Sequence, residues 1–311
     1  MPRSHALLAG LFDYAGLFPP ASLSLADTLG AFARYRAGRD GWMLGRLVVP
    51  VGQLESLAAA DLTSDGRAAT SPWRLSVIGS ASPGSDAPCV RAFNAACADR
   101  AHGACLVDTI EVRTEAPDEV RAARQWAGLG FEVYCEVPLG AAMPAVLDAV
   151  ARAGLHAKIR TGGVTADATP PAAAVAAFLC GCVARGVVAK ATAGLHHAVS
   201  GDLPLATGEI GPTGWMFGFL NLVLAAGIAE GAGRAAAQSP DVAAAVARLL
   251  TVTREPTWVG HAQVDWGDGR RPIIEGPLEP FAVAGRAIIR SIGTCSFDEP
   301  VGDARRIALV A

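Results

Sequence analysis

A chain of 311 residues, 51% of them apolar and 18% charged, has the composition of a folded globular protein and not of a disordered one. A net charge of −3 and the lack of any Lys/Arg-rich run exclude an electrostatic footprint for nucleic acid or an anionic membrane surface. Length alone admits one large domain or two ordinary ones.

The opening residues carry one arginine and a short apolar run broken by Asp13. No small-residue cleavage site follows, so they read as structure and not as a signal peptide. A strand is predicted over 6–12, a turn at Phe18-Pro19-Pro20, and a helix over 25–37. Strands follow at 44–50 and 74–79, then a Ser/Gly/Pro-rich loop at 80–88 and a helix at 89–100. The next strand, 105–113, leads to a helix over 117–129 that Pro117, Asp118 and Glu119 open in the usual way. Strands at 131–138, 156–161 and 187–193 are separated by helices at 143–153 and 171–185. The last strand is predicted at 291–297.

Residues 195–290 break this rhythm. They hold helices at 215–234 and 241–250, then a hairpin-like piece with Asp268-Gly269 at its turn. Residues 258–266 are a competing candidate for a barrel strand. Eight short strands alternating with helices predict parallel βαβ units, and at this length a closed (β/α)8 TIM barrel. The chain then reads as a single domain, 1–311, with 195–290 as an insertion or lid over the barrel mouth or as an elaborated βα unit. An open doubly wound sheet is the alternative, against which no GxGxxG loop follows any strand. The longest apolar stretch, 215–228, falls short of the ~20 residues of a membrane span, and a cytoplasmic location is expected. Seven cysteines, an odd count without any CxxC pair, argue against a disulfide framework or a structural zinc site.

Arginine outnumbers lysine 24 to 2. The two survivors, Lys158 and Lys190, both fall late in apolar strand runs, in His-Ala-Lys158-Ile-Arg160-Thr161-Gly162-Gly163 and Val-Val-Ala-Lys190-Ala-Thr192-Ala-Gly194. Alternation along a strand puts Lys158 with Arg160, and Lys190 with Thr192, on one face. On adjacent barrel strands both amines would point inward near the C-terminal mouth, where barrel enzymes place catalysis. A lysine, unlike an arginine, can lose its proton when desolvated or set beside another cation. Its neutral amine can then attack a carbonyl and form a Schiff base. The alternative is that the pair neutralises buried carboxylates. Candidates for those carboxylates, or for a proton relay, are Asp13, Asp108, Glu111 and Glu136. Glu111 and Arg113 share a face of their strand, and Asp108 takes the other.

These motifs resemble the deoxyribose-phosphate aldolase family, class I aldolases on a (β/α)8 barrel. That family carries a Lys-Thr-Ser-Thr-Gly strand bearing the Schiff-base lysine, then a Lys-Ala-Ser-Gly-Gly strand bearing a second lysine. Its last strand often ends in Gly-Thr-Ser-Ser-Gly, which holds the substrate phosphate, and Ile-Gly293-Thr294-Cys295-Ser296 is similar here. Leu-Phe-Asp13-Tyr is similar to the family's opening Ile-Asp-His. The stretch Gly103-Ala-Cys-Leu-Val-Asp108-Thr-Ile is similar to its Gly-Ala-Asp-Glu-Ile-Asp-Met-Val, whose second Asp assists proton transfer. Residues 131–136 are similar to its Val-Ile-x-Glu strand.

The resemblance implies a lyase with Lys158 as nucleophile and Lys190 tuning its pKa. Asp108, Glu111 or Glu136 would move protons. Asp13, Arg160, Thr161, Gly162, Gly163, Thr192, Gly194, His196, His197, Gly293, Thr294 and Ser296 would line the substrate site, with no cofactor and no metal. The chain departs from the family in placing His196-His197 where an arginine follows the glycine pair, and in Cys295 and Phe297 at the phosphate loop. Arg160 also brings charge beside the nucleophile, suited to a substrate carboxylate or phosphate. The expected partner is a small oxo or sugar-like molecule, with homo-oligomerisation left open. Two rival readings stand. One is a metal-dependent hydrolase or lyase using His196, His197 and acidic strand-end residues, with Glu136, Asp13 or His261 as further ligands. The other is a non-catalytic ligand-binding barrel.

Overall fold

Short Val-, Ile- and Leu-rich runs, apolar on one face and polar on the other, bring eight segments of the chain into one closed parallel sheet. The structure, a computed structural model, describes residues 5–60, 72–98, 105–205, 213–259, 263–269 and 272–310. In chain order the first elements are α1 (His5–Leu8), β1 (Phe12–Tyr14), α2 (Leu25–Ala37), β2 (Leu44–Pro50), α3 (Leu54–Ala59), β3 (Trp73–Gly79) and α4 (Asp86–Ala98). Next come β4 (Cys105–Arg113), α5 (Pro117–Gly128), β5 (Glu132–Glu136), α6 (Met143–Ala153), β6 (His156–Arg160), α7 (Ala172–Arg185) and β7 (Ala189–Thr192). The segment that follows holds β8 (Gly201–Pro204), β9 (Thr213–Met216), α8 (Phe219–Ala232) and α9 (Pro240–Leu250). The chain continues through β10 (Thr257–Val259), β11 (Gln263–Gly267), β12 (Pro272–Pro277), α10 (Leu278–Ile288), β13 (Ile289–Thr294) and α11 (Asp298–Arg306).

The barrel closes in the order β1-β13-β7-β6-β5-β4-β3-β2, with β2 pairing back to β1. This is the (β/α)8 TIM barrel expected from the alternation of elements. Local signals set the helix ends. The Ser24 side chain accepts from the Asp27 backbone N–H to start α2, and left-handed Gly154 and Gly186 stop α6 and α7. Outward-facing Ile110, Val112, Val133, Cys135, Ala157 and Ile159 bury against the helical layer.

Four segments differ from their sequence-based assignment; in one, Trp215 and Met216, expected to open a helix, end strand β9, and α8 starts at Phe219. Residues 5–8 form a helical turn and the first strand is Phe12–Tyr14. Leu7, Leu8 and Leu11 are all fully buried, which is helical spacing and not alternation. The last strand begins at Ile289 and ends at Thr294, because the chain turns there into α11. Residues 258–266 add no barrel strand, since β10, β11 and β12 form their own antiparallel sheet with Asp268-Gly269 between β11 and β12. His261, Gly103 and Ala104 lie outside the described residues.

Residues 195–290 are only in small part a cover for the mouth. The helix α8 is buried on nearly every side and packs on α7, α9 and α10, so it belongs to the helical layer. The hairpin of β8 and β9 is the part that reaches the mouth, through Leu205 and Met216. The segment Ala166–Arg185 is long and apolar enough, at a mean hydropathy of 1.4, to cross a membrane by composition. Within it α7 buries Val175, Phe178, Leu179 and Val183 in the protein core.

Helices α8 and α10 cross at glycines. A Cβ on Gly227 would lie 2.3 Å from the Phe281 carbonyl oxygen, and one on Gly285 would lie 2.0 Å from that of Val223. No side chain fits between two backbones at that distance. Gly227→Ala is expected to destabilise the protein by about 1–3 kcal/mol through overpacking. Gly231→Ala, in the same helix with nothing within 4 Å of its Cβ position, is expected to leave the urea midpoint unchanged or raise it. Equal midpoints for the two variants would contradict the close crossing.

Candidate functional site

The register of adjacent strands carries the two lysines into the barrel together. Lys158 of β6 pairs with Lys190 of β7, and Glu136 of β5 pairs with Lys158. Lys190 is fully buried, and its Nζ donates to Asp13 Oδ2 at 2.8 Å and to Glu111 Oε1 at 2.6 Å. Lys158 Nζ stands 2.9 Å from the other oxygen of Glu111 and 2.9 Å from Glu136 Oε2. The charges alternate as Asp13, Lys190, Glu111, Lys158, Glu136, from the barrel centre toward the mouth. Hydroxyls complete the inner part: Ser291 donates to Asp13 Oδ2 and Ser76 to Glu111 Oε1, both at 2.7 Å. Burial works against the charge on Lys190, but Asp13 and Glu111 outweigh it and its pKa is raised. Burial likewise opposes the charge on Glu111, and the two lysines overcome it, holding the carboxyl well below the usual range.

A cavity of about 570 Å³ opens above this chain of charges, at the C-terminal ends of the strands. That size suits a small metabolite. Lys158, Glu111 and Glu136 form its floor, and Arg113, Arg160, Thr192, His196, Gly293 and Cys295 its polar walls. Phe18, Pro19, Pro20, Val48, Ile78, Leu205 and Met216 supply apolar wall. Arg160 is exposed and has no ion-pair partner among the described residues. Thr192 Oγ1 is buried without a hydrogen-bond partner. Gly162, Gly163 and Gly194 also line the cavity. The loops after β6 and β7 touch back to back, since a Cβ on Gly162 would lie 3.2 Å from the Gly194 Cα. Gly194 adopts a φ of +74°, which favours glycine.

The remaining expected site residues lie elsewhere. Asp108 does not line the cavity. A bulge in β4 opposite Leu75–Ser76 turns it toward Arg46, whose Nε donates to Asp108 Oδ1 at 2.7 Å, and toward Arg74. With Glu132 these residues form a polar network at the N-terminal end of the barrel, which removes Asp108 as a proton relay at the mouth. Asp13 is a buried ion-pair partner and not a cavity wall. Thr161 donates to the Ala193 carbonyl at 2.7 Å and so ties two loops together. Thr294 donates to the Ser296 carbonyl at 2.6 Å, and Ser296 Oγ accepts from the Glu299 backbone N–H at 3.3 Å, at the start of α11. Both hydroxyls therefore hold their own loop, and neither residue lines the cavity. His197 turns to Asp303, at 3.3 Å, away from the cavity that His196 lines. The two histidines do not converge, and among the described residues no group of three His, Cys, Asp or Glu side chains is placed to hold a metal ion.

Sequence reasoning missed Ser76, Ser291, the role of Cys295 and the pairing of Glu299 with His196. His196 Nδ1 stands 3.3 Å from Glu299 Oε2 and 3.3 Å from Thr294 Oγ1, with Cys295 Sγ 3.7 Å from its Nε2. Burial opposes the imidazolium, but Cys295 and Glu299 outweigh it and push the His196 pKa up to about 9. The reference value is about 6.5, so the stability this ring contributes is fully present below pH about 6.5 and lost as pH rises through 9. The span is worth at most about 3 kcal/mol. Urea midpoints of the wild type are expected to fall between pH 6 and 9.5 more than those of His196→Gln, and parallel curves would contradict the assignment.

No protein-family model and no curated protein matches the chain. Among solved structures the chain is similar to FabK from Thermotoga maritima, with a TM-score of 0.39 and 14% identity over 98% of this chain and 96% of that one. A likeness of that size leaves the fold to rest on the strand order and the chemistry on the site itself.

Proposed function

We propose that the protein is a carbon–carbon lyase of the class I aldolase kind, forming a Schiff base between Lys158 and a small oxo compound. The observation that carries this reading is the place of the Lys158 amine. It lies at the floor of the cavity, 2.9 Å from Glu136 Oε2, while Lys190 already occupies the far oxygen of Glu111. The strand motifs around both lysines, similar to those of the deoxyribose-phosphate aldolases, support the same assignment.

Glu136 takes the proton of Lys158, and the neutral amine adds to the substrate carbonyl carbon. Loss of water gives the iminium ion. Glu136, having given its proton to the departing water, takes that of the hydroxyl beyond the adjacent carbon–carbon bond. The electron pair of that bond moves into the iminium, leaving an enamine on Lys158 and releasing a carbonyl fragment. Protonation of the enamine carbon and hydrolysis free the second fragment. Lys190 stays charged throughout, held between Asp13 and Glu111. Arg160 and Thr192, register partners on β6 and β7, hold the polar end of the substrate.

The ion pairs around Lys158 equally suit a barrel that binds a ligand without reacting, and one experiment decides. Incubation with acetaldehyde, pyruvate or dihydroxyacetone and then sodium borohydride is expected to leave a stable adduct, mapped by peptide mass to Lys158. Lys158→Arg is expected to abolish it. No adduct with any of the three compounds, or one confined to other residues, would sink the Schiff-base reading.

A further inference from the structure

Opposite the lysine floor, the same cavity holds a second group of reactive side chains that the Schiff-base chemistry does not use. Cys295 follows the end of β13, His196 follows β7, and Glu299 lies in the first turn of α11. Cys295 and His196 both line the cavity. The imidazole is gripped at Nδ1 by Glu299 and Thr294, each at 3.3 Å, and the Cys295 sulfur lies 3.7 Å from Nε2 and 3.9 Å from Nδ1, so Nε2 is the nitrogen left to exchange a proton with the thiol. A thiol, an imidazole and a carboxylate in that order form the arrangement that turns a cysteine into a nucleophile.

The other cysteines lack these surroundings. Cys89 is exposed, and Cys97, Cys105, Cys135, Cys180 and Cys182 are buried. Burial pushes the Cys135 thiol up to about 12 and raises that of Cys182 further. None of these six lines the cavity, so a disulfide with Cys295 has no partner there among the described residues. The ring beside Cys295 is instead held as a cation at neutral pH, the state that stabilises a neighbouring thiolate.

We propose that Cys295, His196 and Glu299 form a second covalent site in this cavity, in which the Cys295 sulfur adds to an aldehyde carbonyl. The thiol proton already rests on His196 Nε2, giving a thiolate beside the imidazolium. The sulfur–carbon bond forms as the carbonyl π pair moves to oxygen, and that oxygen takes the proton back from His196. The product is a neutral thiohemiacetal, with no oxidation or reduction. Glu299 is a positioning residue, engaging Nδ1 and leaving Nε2 to exchange the proton with the sulfur. The inference shares the cavity with the Schiff-base reading and does not depend on it, because either nucleophile can react without the other.

Alkylation of the full-length folded protein by iodoacetamide, followed residue by residue by peptide mass, tests it. At pH 6.5 Cys295 is expected to react about tenfold faster than Cys89, the exposed reference thiol. His196→Gln is expected to remove that advantage and leave the Cys89 rate unchanged, which also reports that the fold is intact. Glu299→Gln is expected to shift the pH profile of Cys295 upward. Glycolaldehyde is expected to slow alkylation of Cys295 reversibly, and to do so equally in Lys158→Arg. A Cys295 that reacts no faster than Cys89, or is indifferent to His196→Gln, would overturn the nucleophile. Protection by glycolaldehyde that vanishes in Lys158→Arg would overturn the thiohemiacetal and place the aldehyde on the lysine alone.

Discussion

One carboxylate organises the interior of this barrel. Glu111 offers one oxygen to Lys190 and the other to Lys158, and so joins a fully buried cation to one at the floor of a cavity. Neither lysine tolerates the loss of that partner at little cost, since removing one member of a buried ion pair is worth about 3–5 kcal/mol. The five alternating charges also fix strand register. A one-residue slip of β6 or β7 would carry a lysine from the polar interior to the apolar helical face. The polar interior and the apolar exterior of the sheet are thus one constraint seen from two sides.

The mouth is shaped by what the loops must clear. The turns after β6 and β7 meet at Gly162 and Gly194, and that contact brings Arg160 and Thr192 side by side above the lysines. The turn after β13 uses Thr294 and Ser296 to hold its own backbone, which leaves Cys295 facing His196. Hydroxyls that a sequence motif suggests for a substrate anion thereby become loop structure, and the neighbouring thiol takes the cavity wall.

Much of this was legible in the sequence. The helices Leu25–Ala37 and Met143–Ala153 match their predicted bounds because their apolar spacing and end signals agree. The lysines could be placed inside adjacent strands because alternation survives any choice of strand end by a residue or two. What failed were features that depend on three dimensions. The bulge at Asp108 adds a residue to β4 and redirects one carboxylate to the far end of the barrel, and no local signal announces it. Glu299 lies over a hundred residues from His196, and only the closure of β13 beside β7 brings them together. The length of residues 195–290 breaks the strand–helix rhythm, but within them α8 is apolar all round, the mark of a helix buried within the helical layer.

The charges at the floor bear on why a chain so rich in arginine keeps lysine at these two positions. Asp13, Glu111 and Glu136 carry three negative charges against two positive ones on Lys158 and Lys190. Moving one proton from Lys158 to Glu136 neutralises both partners without changing the total charge of the buried group. The Asp13–Lys190–Glu111 part keeps its own pairing through that transfer. On the proposed Schiff-base reading, a reactive amine would arise by an internal shift over 2.9 Å, with no charge brought into or taken out of the barrel. Arginine at position 158 would satisfy the same carboxylates at rest, but it cannot give up its proton. At position 190 no proton has to leave; there the compact ammonium fits between two carboxylates in a space with no solvent exposure. On that reading the same compositional oddity has two physical origins, a proton that moves at Lys158 and a small cation that stays at Lys190.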